Sequence, residues 1–128
     1  MPSSRLLFVY NAENGVFNAL LDSAHKVFSP ATYECSLCKY THGLTGMLLP
    51  WKRFLDSLPQ GKEFLHRTEF RQVYPGDDTP LPAIFLIEGE QRRLLLSADG
   101  IKAADGTDGL MEKVRERLGT VGEHGLNR

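Results

Sequence analysis

The chain's 128 residues and 14.4 kDa suffice for one domain with its own core and fall short of two. At 41% hydrophobic and 24% charged residues the composition is ordinary for a globular protein, which excludes disordered and fibrous classes. Lys plus Arg total 15 and Asp plus Glu 16, leaving +1 on residues 1–61 and −2 on the remainder, so neither half offers a nucleic-acid surface.

Residues 6–10, Leu-Leu-Phe-Val-Tyr, form a continuous apolar run of the kind that makes a strand covered on both faces. Asn11 to Gly15 are turn and cap types, and Asn14 can accept from the free amides of a following helix. That helix is predicted from Val16, Phe17, Leu20, Leu21, Ala24, Val27 and Phe28, which share one face at 100° per residue, and Ser29-Pro30 ends it. His25 falls on the margin of the face. Residues 31–49 show no clean period, and Gly43 and Gly46 interrupt them.

A short helix is expected from Pro50, with Trp51, Phe54, Leu55 and Leu58 on its core side. Residues 63–70 read as a strand around Phe64-Leu65-His66, and 74–80 as a Pro/Gly/Asp loop. Residues 83–87 are a buried strand, Glu88-Gly89-Glu90 a tight turn, and residues 92–96 the return strand of a hairpin. A polar connection, 97–106, leads to a final helix capped by Thr107 or Asp108, buried through Leu110, Met111, Val114 and Leu118, and stopped at Gly119. The longest stretch without Asp, Glu, Lys or Arg, residues 40–51, is well below the ~20 apolar residues of a membrane helix. The apolar run behind the start is shorter than a secretory segment of about 7–15 residues, so a cytoplasmic location is expected.

The order strand, helix, strand, proline-led hairpin, helix resembles that of thioredoxin-like α/β domains. The segment Leu81-Pro82-Ala83-Ile84-Phe85-Leu86-Ile87-Glu88-Gly89 is similar to the thioredoxin element in which a cis-proline precedes the third core strand. The resemblance implies a single thioredoxin-like domain, a four-stranded mixed sheet flanked by helices, with an insert at about 31–58 carrying the C-x-x-C pair. It also implies that Pro82 is cis and, with Asn11 and Asn14, lines a substrate groove. An ordinary trans proline opening a strand is the competing reading, since Pro80 lies close by. The chain departs from thioredoxins after the first strand, where their dithiol sits and where this sequence has Asn11 to Gly15. A wider resemblance, through Leu6 to Ala12, Tyr33-Glu34-Cys35-Ser36-Leu37-Cys38, Thr41-His42 and Glu63 to Arg67, is to short uncharacterised bacterial proteins, some labelled GTPases. No G-x-x-x-x-G-K-[ST] string is present to hold a nucleotide phosphate.

The two cysteines, Cys35 and Cys38, form a C-x-x-C pair with His42 four residues on. Three readings follow. In a redox dithiol, Cys35 attacks a protein or small-molecule disulfide and Cys38 resolves the mixed disulfide, with no cofactor. In a soft-metal centre, Cys35, Cys38 and His42, completed by His25 or His66, hold zinc, copper(I) or an iron–sulfur cluster. In the third, the thiols are inert and partly buried. Beside the cysteines, His42 or Lys39 can also lower a thiol pKa. For His25 the simpler assignment is a boundary residue of an amphipathic helix, and for His66 an outward strand residue. The Asn11 to Gly15 loop could hold an anion, although a plain helix cap explains it, and with the Pro82 groove it could equally dock an adaptor partner. Asp77-Asp78 and Arg92-Arg93 read as solvated charge, and Trp51, Phe54 and Leu58 as core. No serine nucleophile elbow, H-E-x-x-H pair or glycine-rich dinucleotide turn is present.

Overall fold

The computed structural model describes residues 4–11, 36–43 and 46–126. In chain order these form β1 (Ser4–Val9), α1 (Ser36–Thr41), β2 (His42–Gly43), β3 (Gly46–Met47), α2 (Leu49–Ser57), β4 (Gly61–Leu65), α3 (Arg67–Val73), β5 (Ala83–Glu88), β6 (Gln91–Leu96), α4 (Ala98–Ala103) and α5 (Thr107–Leu126). The predicted helix over Val16 to Phe28, with Asn14 as its cap and His25 on its margin, lies outside the described residues.

The apolar run after Arg5 becomes the strand that its continuity predicts, because β1 sits inside a four-stranded sheet of order β4-β1-β5-β6. It pairs in parallel with β4, Val9 opposite Leu65, and antiparallel with β5, Val9 opposite Ala83. The hairpin β5–β6 completes the mixed sheet, turning on Gly89 at φ 62°, a left-handed conformation natural to glycine. Alternation along β1 then divides the core in two. Leu6, Phe8 and Tyr10 pack with Leu37, Cys38, Trp51, Phe54, Ile84, Ile101, Leu110 and Val114 on one face. Leu7 and Val9 pack with Leu65, Phe70, Ala83, Phe85 and Ile87 on the other.

Between β1 and β4 run α1, the two-residue ladder β2–β3, and α2. Pro50 stands in the first turn of α2, whose buried side is Trp51, Phe54 and Leu55 as its spacing predicts. Among the described residues, no helix is long and apolar enough to cross a membrane.

The structure corrects four sequence expectations. The strand expected over 63–70 is β4 followed by a helix, because His66 caps α3, its Nδ1 accepting from the Glu69 backbone N–H at 3.2 Å; His66 is therefore no outward strand residue. The polar connection 97–106 contains α4, capped by Ser97 through the Gly100 N–H. Thr107 begins α5 and donates its hydroxyl to the Tyr40 carbonyl at 2.6 Å. Gly119 does not stop α5, which runs on to Leu126; a glycine inside a helix costs only about 1 kcal/mol, and the turns on either side outweigh that.

Candidate functional site

Because β1 and β4 are parallel and β5 antiparallel to both, the carboxyl ends of β1 and β4 share one edge of the sheet with the start of β5. That end gathers Asn11, Arg67 and Pro82. The Arg67 guanidinium donates to the Asn11 side-chain oxygen at 3.0 Å, which ties the segment after β1 to the first turn of α3. Leu81–Pro82 is cis, as the resemblance implies, and Pro82 is itself buried. In α/β sheets the crevice beyond the strands' carboxyl ends is the usual place for a ligand.

The loop that delivers Pro82 is clipped by charge. Arg71 donates to the carbonyls of Asp77 and Thr79. Asp77 accepts from the Thr79 N–H at 2.9 Å and from its hydroxyl at 2.5 Å, and its second oxygen accepts from Arg92 at 2.6 Å. Arg92 stretches across the rings of Tyr74 and Phe85, 4.1 and 4.7 Å from their centroids. Burial opposes ionisation of Asp77, yet the Thr79 hydrogen bonds and the Arg92 guanidinium prevail and hold its carboxyl down at about 2. Asp77 and Arg92 are thus a part-buried structural pair, not the solvated charges that their loop and strand positions suggest.

Residues 36–41 form a helix where the irregular sequence predicts no regular element. Cys38 lies on α1, 1% exposed and within the core, and it is disulfide-bonded. The chain's one other cysteine, Cys35, lies outside the described residues. Two contacts hold α1 against the α4–α5 junction: the Tyr40 hydroxyl donates to the Lys102 carbonyl, and Thr107 donates to that of Tyr40.

One turn after Cys38 comes a buried polar chain. Thr41 and His42 are 0% and 4% exposed. Thr41 Oγ1 lies 2.7 Å from the Leu37 carbonyl and 2.8 Å from His42 Nδ1. A carbonyl can only accept, so the single hydroxyl hydrogen is used there, and the short contact to His42 requires Nδ1–H to donate to Oγ1. His42 is then the Nδ1–H tautomer, and its Nε2 carries a bare lone pair. Nε2 is buried and makes no hydrogen bond among the described residues. Burial lowers the imidazole pKa to about 4, so the ring is neutral at pH 7. The Tyr10 ring stands edge-on to it with centroids 5.6 Å apart. Burial also raises the Tyr10 hydroxyl above its ordinary pKa, against the opposing influence of the Thr41 side chain.

The structure brings Cys38 and His42 onto one stretch of α1 and β2, and places Asn11 and Pro82 at the sheet end; Cys35, Asn14 and His25 fall outside the described residues. His66 is committed to its cap through Nδ1. Among the described residues no group of three or more His, Cys, Asp or Glu side chains is placed to hold a metal ion. Sequence reasoning missed Tyr10 and Arg67. Tyr10 passed as the last apolar residue of a strand, and Arg67 as part of the strand read over 63–70. The comparisons with known proteins find no match, either among family models or among curated proteins and solved structures.

Proposed function

We propose that the chain is a thioredoxin-like protein of thiol–disulfide exchange, with Cys35 and Cys38 as its dithiol and a protein or small-molecule disulfide as substrate. The observation that carries this reading is the oxidised state of Cys38 within a C-x-x-C pair. The sheet order β4-β1-β5-β6, with a parallel β1–β4 pair and an antiparallel β5–β6 hairpin, supports the scaffold. Burial of Cys38 supports the division of labour, since a shielded sulfur suits the resolving step and leaves the attack to Cys35.

In the reducing direction the Cys35 thiolate attacks one sulfur of the substrate disulfide and expels the other as a thiolate. The Cys38 thiolate then attacks the Cys35 sulfur, closing the intramolecular disulfide and releasing the second substrate thiolate. Two electrons pass from the dithiol to the substrate. Asn11 and Pro82, at the sheet end, are the proposed substrate-side residues.

The test is thiol titration with glutathione exchange on protein purified without air. Two thiols should appear on reduction and disappear reversibly in a glutathione/glutathione-disulfide buffer, and Cys35→Ser or Cys38→Ser should each abolish the cycle. A chain that fails to cycle but retains about one chelatable zinc per molecule would replace this reading with a soft-metal module of Cys35, Cys38 and His42. Exchange that survives Cys35→Ser would refute it as well.

A further inference from the structure

We infer that Nε2 of His42 accepts a hydrogen bond from the Cys38 thiol in the reduced chain, so that His42 is a positioning residue governing the balance between dithiol and disulfide. The inference rests on the redox reading of Cys35 and Cys38.

The lone pair on Nε2 is a buried acceptor, on a residue only 4% exposed, without a donor among the described residues. An unsatisfied buried polar group is costly, and native structures hold few of them. Cys38 lies in the last turn of α1, and His42 follows directly where that helix ends and β2 begins, four residues on; the Thr41 hydroxyl ties back to the Leu37 carbonyl across the same turn. Across a helical turn, residues four apart have β-carbons about 5–6 Å apart, and His42 is the residue at which this last turn gives way to β2. Tyr10 belongs to the same core cluster as Cys38 and packs its ring against His42.

In the disulfide, the Cys38 sulfur has no hydrogen to donate. Reduction by a thiol such as glutathione delivers two electrons and two protons, and two reductant molecules leave as their own disulfide. One of those protons ends on Cys38 Sγ, a buried donor that requires an acceptor. The Nδ1–H tautomer fixed by Thr41 turns a lone pair rather than a hydrogen outward at Nε2. Oxidised, the site has an acceptor without a donor; reduced, it has both.

The experiment measures the glutathione equilibrium constant of the full chain, together with side-chain 15N resonances of His42 in both redox states. In the native protein, Nε2 should resonate as a bare ring nitrogen when oxidised and move toward the hydrogen-bonded range on reduction, while Nδ1 stays protonated. His42→Phe keeps a ring for Tyr10 but removes the acceptor, and should shift the equilibrium about fivefold toward the disulfide. At 29.6 mV per tenfold this is about 20 mV more reducing. His42→Gln, whose amide oxygen can accept, should recover part of the shift. An Nε2 resonance unmoved by reduction overturns the inference without any substitution, and so does an equilibrium unchanged in a folded His42→Phe. Failure of the native chain to exchange with glutathione at all overturns the redox reading itself, and this inference with it.

Discussion

Replacing Asp77 with Asn isolates the charge in the clip that delivers Pro82. The asparagine oxygen can still accept from the Thr79 N–H, but the carboxylate facing Arg92 is gone, leaving a guanidinium only 24% exposed above Tyr74 and Phe85. The Asp77 carboxyl is held at about 2 against an ordinary 3.8. At about 1.4 kcal/mol per tenfold change in proton affinity, and with its side chain 16% exposed, the ionised form contributes about 2 kcal/mol. Because the folded pKa is depressed, that contribution is complete above the unfolded value near 4 and is lost as pH falls toward about 2. Asp77→Asn should therefore cost about 2 kcal/mol at pH 6 and about half that at pH 3. Urea unfolding at both pH values measures it, as a shift in midpoint at constant slope. Equal costs at the two pH values would refute the reasoning, as would a coupling below about 0.5 kcal/mol in a double-mutant cycle with Arg92→Met.

Two further substitutions probe the frame around the site. A β-carbon on Gly109 would lie 2.0 Å from the Ala104 carbonyl oxygen, so Gly109→Ala should destabilise by about 3 kcal/mol; a melting temperature close to that of the native chain would show that the α4–α5 junction yields easily. The register of the β5–β6 pair slips beside Phe85 and leaves Leu95 as an extra residue on the edge strand, where Arg117 donates to its carbonyl at 3.0 Å. Arg117→Ala should cost about 1 kcal/mol and free that edge for strand pairing, visible as concentration-dependent association in light scattering. A variant that stays as dispersed as the native chain would assign Arg117 to stability alone.

Much of the scaffold was legible because its signals are local. The apolar run Leu6 to Tyr10, the Ala83 to Leu96 hairpin with Gly89, and the Trp51, Phe54, Leu55 stripe each fix their element by periodicity or turn chemistry. The missed helix α3 shows where such signals end. Its N-cap is a histidine, not the Ser, Thr, Asp or Asn that marks a helix start, and Phe70 looks the same in a strand pattern as on a helix face. Arg92 likewise reads as strand charge until the loop from Tyr74 to Thr79 folds against it.

For the candidate site, the sequence supplied the residue types: two thiols three apart, a histidine one turn beyond, and a proline ahead of a strand. Tertiary packing decided their chemistry. Whether His42 faces water or core, which of its nitrogens holds the proton, and whether its lone pair finds a donor depend on Tyr10, directly after β1, and on the turn from Leu37 to Thr41. Hydrogen bonding and desolvation act through space over a few ångströms, and Tyr10 and His42 are brought within that distance across thirty-one intervening residues only when the chain has folded.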